Sequence, residues 1–106
     1  MDLNQSLIDE IIKRIRTVTQ PEKIILFGSA ATGSMTRDSD IDLLILKAVP
    51  GDRRRESVRL RESLGNLGFP VDIILMAMEH FEESKDVIGG LAYPAHKYGK
   101  VIYEAA

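Results

Sequence analysis

Three aspartates, Asp40, Asp42 and Asp72, and the pair Gly28-Ser29 are the residues whose types and spacing could do chemistry in this chain. Asp40 and Asp42 are separated by Ile41 alone. In an extended segment side chains alternate faces, so both carboxylates project from one side while Ile41 and Leu43 project from the other. Two carboxylates rooted roughly 6–7 Å apart repel unless a cation stands between them. Mg²⁺, with Mn²⁺ as a substitute, suits such a pair, because it takes carboxylate oxygens and shares its other positions with phosphates and water. In the run VDIILM, Asp72 alternates in the same way with the apolar Val71 and Ile73. Three carboxylates can bridge two metals about 4 Å apart, the clamp suited to in-line phosphoryl or nucleotidyl transfer. Gly28-Ser29 supplies the complement. Glycine lets a phosphate approach the backbone N–H groups, and the serine hydroxyl donates one hydrogen bond more.

Positioning these groups requires a sheet. Lys23–Phe27 (KIILF) is a short apolar run that predicts a buried strand stopped by Gly28, and Ile41–Leu46 and Val71–Ala77 predict two more. For the end of the first strand to face the start of the second, those two run antiparallel. For Asp72 to reach the same place, the third runs parallel to the second, with the segment Gly51–Asn66 as the crossover helix. Leu3, Leu7, Ile8, Ile11, Ile12, Ile15 and Val18 recur at helical spacing and predict an amphipathic helix over Leu3–Arg16, capped by Asp2 and blocked by Pro21. Ser29–Ser39 reads as a turn holding at most one helical turn. Beyond Met78 the pattern predicts a short helix around Phe81, a loop at Gly89-Gly90, a helical piece over Ala92–Tyr98 and a closing VIYE. The expected order is α-β-turn-β-α-β-α, an α/β fold with a small mixed sheet. The acids and the glycine turn lie at one edge of it.

LFGSAATGSMTRDSDIDLLIL, with Gly-Ser, ten residues, Asp-x-Asp and a later aspartate on the next strand, resembles the signature of the polymerase-beta-like nucleotidyltransferases. The length of the chain and the stretch AYPAHKYGKVIYE are similar to the minimal (MNT) branch. The resemblance implies that Gly28 and Ser29 hold the triphosphate of an NTP, with ATP favoured. It further implies that Asp40 and Asp42 hold metal, and that Asp72 serves both a metal and the attacking group. It also implies a partner, a small helical HEPN-type toxin whose tyrosine accepts the nucleotide, this chain being the antitoxin. Ala30 and Thr32 depart from the pattern, standing where many relatives carry an aromatic or an arginine and then a second arginine; Arg37 is the nearest compensating cation. A catalytically weak antitoxin that acts by masking its partner is the competing class, and a template-independent RNA-modifying transferase is the third.

The remaining features read more plainly. Asp38 and Ser39 are turn formers. RRRESVRLRE is interrupted by Glu56 and Glu62, lacks aromatics and reads as a solvated helix face with Val58 and Leu60 on its buried side, so nucleic acid is disfavoured. His80 and His96 have no ligand spacing and read as surface residues. Met76 and Met78 belong to the third strand and its exit. Tyr93, Tyr98 and Tyr103 could stack on a base, but packing against the sheet is the expectation. Leu44, Leu46, Ile74 and Met76 share the face of the aspartates and predict an apolar strip in need of cover, which a partner would provide. At 106 residues the chain is expected to be one domain over 1–106, with one modest core. Its net charge of -2 offers no global attraction to nucleic acid or an anionic membrane. Without cysteine it has neither disulfides nor thiolate metal sites. With no membrane span and no signal-like start, the expected location is cytoplasmic.

Overall fold

The computed structural model describes residues 4–33, 40–49 and 51–105; Asp2, Arg37, Asp38 and Ser39 lie outside them. Helix α1 (Gln5–Val18) forms because Ile8, Ile11 and Ile15 recur on one face, and all three are buried. Its N-cap is Asn4, whose side chain accepts a hydrogen bond from the Leu7 N–H at 2.8 Å; the helix therefore starts two residues later than expected and runs on to Val18. Strand β1 (Lys23–Phe27) ends at Gly28, and a single helical turn, α2 (Ser29–Thr32), follows directly. Strand β2 (Ile41–Lys47) leads through α3 (Arg53–Ser63) to β3 (Val71–Ala77). Helices α4 (Met78–Ser84) and α5 (Ala92–Tyr98) come next. A fourth strand, β4 (Lys100–Glu104), completes the sheet.

The sheet order is β3-β2-β1-β4, mixed as expected: β1 is antiparallel to β2 and β2 is parallel to β3. The closing segment, which carried no strand assignment in sequence, is paired antiparallel to β1. Only Val101, Ile102 and Tyr103 are apolar there, too short a pattern to separate a strand from a loop. Its pairing with β1 makes the assignment.

Alternation along the strands builds two cores. Ile24 and Leu26, Ile41, Leu43 and Ile45, and Ile73 and Leu75 face α1 and α3, where they meet Ile11, Ile15, Leu60 and Leu64. Ile25, Leu44 and Leu46 face the other way, against Phe81, Ala92 and Ala95 of α4 and α5. That second core corrects one expectation. Leu44 and Leu46 are fully buried, and Ile74 and Met76 pack at the margin of the same cluster, so α4 and α5 already cover the apolar strip. A second correction falls on α3, where Leu60 is buried but Val58 is exposed. Two residues apart on a helix they stand on nearly opposite sides, and only one can enter the core.

One polar contact ties the first core together. Lys47 at the end of β2 lies 2.7 Å from Glu56 on α3, both largely shielded from water, and the hydroxyl of the buried Thr19 donates to the same carboxylate oxygen. Burial opposes ionisation of Glu56. The hydrogen bonds from Lys47 and Thr19 and the charges of Lys47 and Arg59 outweigh it and hold the pKa below the ordinary 4.5. A lowered folded-state pKa stabilises the fold above the unfolded value and is lost as pH falls through the folded one. Glu56→Gln should therefore cost about 1–3 kcal/mol at neutral pH. It should also flatten the loss of Tm below about pH 4.5, which thermal melts across an acid series will measure.

Candidate functional site

The pairing registers decide where the aspartates stand. Phe27 is the Cα partner of Asp42, and Asp42 is the Cα partner of Asp72, so one row crosses three strands at the end of the sheet. Asp42 and Asp72 share the face of Leu44 and Ile74 by alternation, and Asp40, just before β2, falls on the same side. The acids thus occupy an inner strand and its edge neighbour, rather than one edge alone. Asp40 and Asp72 are exposed and Asp42 is half-buried. Phe27, half-buried on the same face, completes the row; in sequence it looked like one more core residue, and only its alternation with Ile24 and Leu26 marked it out.

Gly28 is pressed against this row. Its φ of 71° lies in the left-handed region, and a Cβ added there would overlap Asp42 Oδ2. Glycine is required twice over, by conformation and by the carboxylate lying against the backbone. Ser29 begins α2 next door, and Ala31 N–H donates to the Gly28 carbonyl at 3.1 Å. At the two departures from the family pattern, Ala30 is buried in the first core and the Thr32 hydroxyl is turned back toward the Gly28 and Ser29 carbonyls. Neither brings a positive charge to the turn.

Electrostatics single out Asp42. Its carboxyl is held above the usual carboxylate range, first by burial and then by the charges of Asp72 and Asp40. Among the described residues, no three acidic or histidine side chains are drawn into a closed metal cage. The donor set nevertheless fits a hard divalent cation: three carboxylates on one face, repelling each other, two of them exposed and able to turn toward the third. A cavity of about 360 Å³ lined by Arg54, Arg55, Val58 and Arg59 lies along α3, on the opposite side of the sheet, and takes no part in this site.

The other sequence candidates fall outside the row. His80 and His96 are exposed, the latter edge-on to Phe81 at 6.1 Å. Tyr103 packs on the first core with Arg16 over its ring, as expected. Tyr98 does not pack on the sheet; it is 59% exposed.

Comparison with known proteins bears on the family and the fold. The family model described as "Nucleotidyltransferase domain" matches residues 8–93. The chain is 26% identical to a toxin–antitoxin complex crystallised with AMP-PNP, at a TM-score of 0.66, covering 92% of this chain and 73% of that one. It shares its fold with a tri-AMPylated Shewanella oneidensis HEPN toxin in complex with an MNT antitoxin, at 22% identity and a TM-score of 0.55, over 97% of this chain and 74% of that one. Caffeine-induced protein 16 of Schizosaccharomyces pombe is 44% identical over 41 residues, 39% of this chain, a stretch that spans only 3% of that protein's length. Among the described residues no helix is long and apolar enough to cross a membrane.

A raised carboxylate pKa carries a thermal consequence. The contribution of Asp42 to stability is fully present below its unfolded value of 3.8 and is lost as pH rises through the higher folded value. Metal-free Asp42→Asn should consequently melt roughly 2–5 °C above wild type at neutral pH, with the gain vanishing near pH 3. Differential scanning calorimetry at the two pH values checks both halves.

Proposed function

The chain belongs to the nucleotidyltransferase domain family, and from that premise we propose that it is a Mg²⁺-dependent enzyme that transfers AMP from ATP to a hydroxyl on a HEPN-type partner protein. The observation that carries the reading is the registered row Phe27–Asp42–Asp72 with Gly28 pressed against Asp42. Carboxylates meet a glycine turn there, on one face of the sheet.

In this mechanism the Gly28 turn and the Ser29 hydroxyl bind the triphosphate, while Asp40, Asp42 and Asp72 would hold Mg²⁺. Bound Mg²⁺ would supply the positive charge that lowers the pKa of the attacking hydroxyl and neutralises the leaving pyrophosphate. Asp72, on the edge strand and exposed, orients the acceptor hydroxyl and receives its proton. The acceptor oxygen forms a bond to the α-phosphorus as the bond to the bridging oxygen of the β-phosphate breaks, and pyrophosphate leaves. No side chain acts as a covalent nucleophile. The HEPN partner is supported by the resemblance in sequence and by the toxin–antitoxin neighbours, one of which contains an AMPylated HEPN toxin, while a tyrosine as the acceptor rests on the resemblance alone.

A second reading has its own support. Ala30 is buried and the Thr32 hydroxyl turns back to the Gly28 and Ser29 carbonyls, so neither position supplies the cation that the resemblance leads one to expect beside the triphosphate. In that reading the chain is an antitoxin with weak or silent catalysis that neutralises its partner by covering it.

Two measurements separate the alternatives. Calorimetry should detect ATP binding with Mg²⁺ or Mn²⁺ present; equal affinity in chelator would sink the metal-dependent site. After co-expression with a HEPN-type partner and incubation with MgATP, intact-mass spectrometry of the partner should show an added AMP. Asp40→Asn and Asp42→Asn should each reduce that transfer by more than about a hundredfold, the scale of losing one transition-state charge contact. A tight complex with no added mass under any NTP would favour the masking antitoxin, and no complex at all would remove the toxin–antitoxin assignment.

A further inference from the structure

Helix α5 and strand β4 bring an aromatic residue to the same end of the sheet as the aspartate row. Leu26 of β1 is the Cα partner of Lys100 at the start of β4, so Gly99, one residue earlier, stands level with Phe27 and hence with the row through Asp42 and Asp72. From β4 across β1 to β2 is two strand spacings, roughly 10 Å. Tyr98 immediately precedes Gly99 and lies one helical turn beyond Ala95, which is buried against the aspartate face of the sheet. Tyr98 therefore stands at the end of the sheet that carries the acidic row, about two strand spacings from β2.

The position is built rather than loose. Ala92 and Ala95 anchor α5 in the second core. A Cβ at Gly99 would overlap the Ala95 carbonyl and come within 2.7 Å of an Ile25 methyl, so the turn from α5 into β4 is clamped against β1. Lys97 donates a hydrogen bond to the Tyr93 hydroxyl at 3.2 Å. Its ammonium stands 5.6 Å from the centre of the Tyr93 ring and 5.4 Å from that of Tyr98. The Tyr98 ring thus has a cation over it, while the side chain as a whole stays more than half exposed. An exposed tyrosine on a clamped helix end spends apolar area on solvent unless a flat partner covers it.

We propose that Tyr98, backed by Lys97, is the platform on which the base of the bound nucleoside triphosphate stacks. The inference rests on the nucleotidyltransferase reading of the aspartate site and adds to it the residue that grips the base. Aromatic stacking tolerates any base and favours the larger purine surface, so Tyr98 sets affinity for the nucleoside half of the substrate while the Gly28 turn and the aspartates set affinity for the triphosphate half.

The test measures the affinity of two probes, ATP and inorganic tripolyphosphate, both with Mg²⁺, for wild type, Tyr98→Leu and Tyr98→Phe, each shown by thermal melts to be folded. Tyr98→Leu should bind ATP roughly 5- to 100-fold more weakly while tripolyphosphate binding stays unchanged. Tyr98→Phe, which keeps the ring, should retain ATP affinity. Undiminished ATP affinity in Tyr98→Leu would overturn the platform, as would an equal loss for both probes, since the effect would then have nothing to do with the base. Wild type binding tripolyphosphate as tightly as ATP would also overturn it while leaving the phosphate site standing. If wild type binds neither probe, the nucleotidyltransferase reading falls, and the platform with it.

Discussion

Everything at the candidate site hangs on the pairing register between β1, β2 and β3. Strand side chains alternate with a period of two, so slipping β3 by one residue against β2 would send Asp72 to the side of Ile73 and Leu75, inside the first core. The hydrophobic residues prevent that slip. Ile41, Leu43 and Ile45 are wholly buried beneath α1 and α3, and moving any of them to the other face would expose them at one position and bury a carboxylate at another. The acids are thus held in line by residues that never touch them. The polar row is the by-product of an apolar pattern satisfied on both faces of one sheet.

Holding like charges in line works against stability, and the fold absorbs that cost locally. Burial and two neighbouring carboxylates disfavour the charged form of Asp42, while at the far end of β2, on the opposite face, Lys47 and Thr19 favour the charged form of Glu56. Strand β2 therefore carries a destabilising charge cluster at its start and a stabilising one at its end. A protein selected for stability alone would not place three acids around a glycine whose neighbouring carboxylate leaves no room for a side chain.

Much of this was legible in the sequence, for reasons that differ by element. KIILF and VDIILMA matched their strands because apolar runs bounded by Gly28 and by Pro70, the second broken only by Asp72, leave little choice of ends. The antiparallel and parallel pairings followed from requiring three acids and one glycine turn to meet, and the structure adopts both. Helix ends were less legible: Asn4 competes with Asp2 as a cap on nearly equal chemical terms, and α3 stops at Ser63, three residues short of Asn66. Strand β4 was illegible because a three-residue apolar stretch acquires meaning only beside β1. The same tertiary context made the apolar strip look bare. Ala92 and Ala95 are small residues in an unremarkable run, and nothing local announces that they cover Leu44. Tyr98 was misjudged for a related reason, since its exposure depends on where the clamped turn at Gly99 lets α5 end.

The placement of β4 beside β1 also governs the order in which the molecule can come together. Every element of the fold except α1 lies between the two strands in the chain, so their pairing is among the most non-local contacts present. Such contacts carry the largest loop-closure entropy and form late unless the intervening chain is already compact. During synthesis, β1, β2 and β3 can assemble with α1 and α3 while β1 still shows an unpaired edge and Ile25 an uncovered face. Lys100–Glu104 then pairs with β1 and tethers α5 at its far end. A nascent chain lacking that strand is an open-edged sheet, able to pair with another such chain before its own β4 arrives.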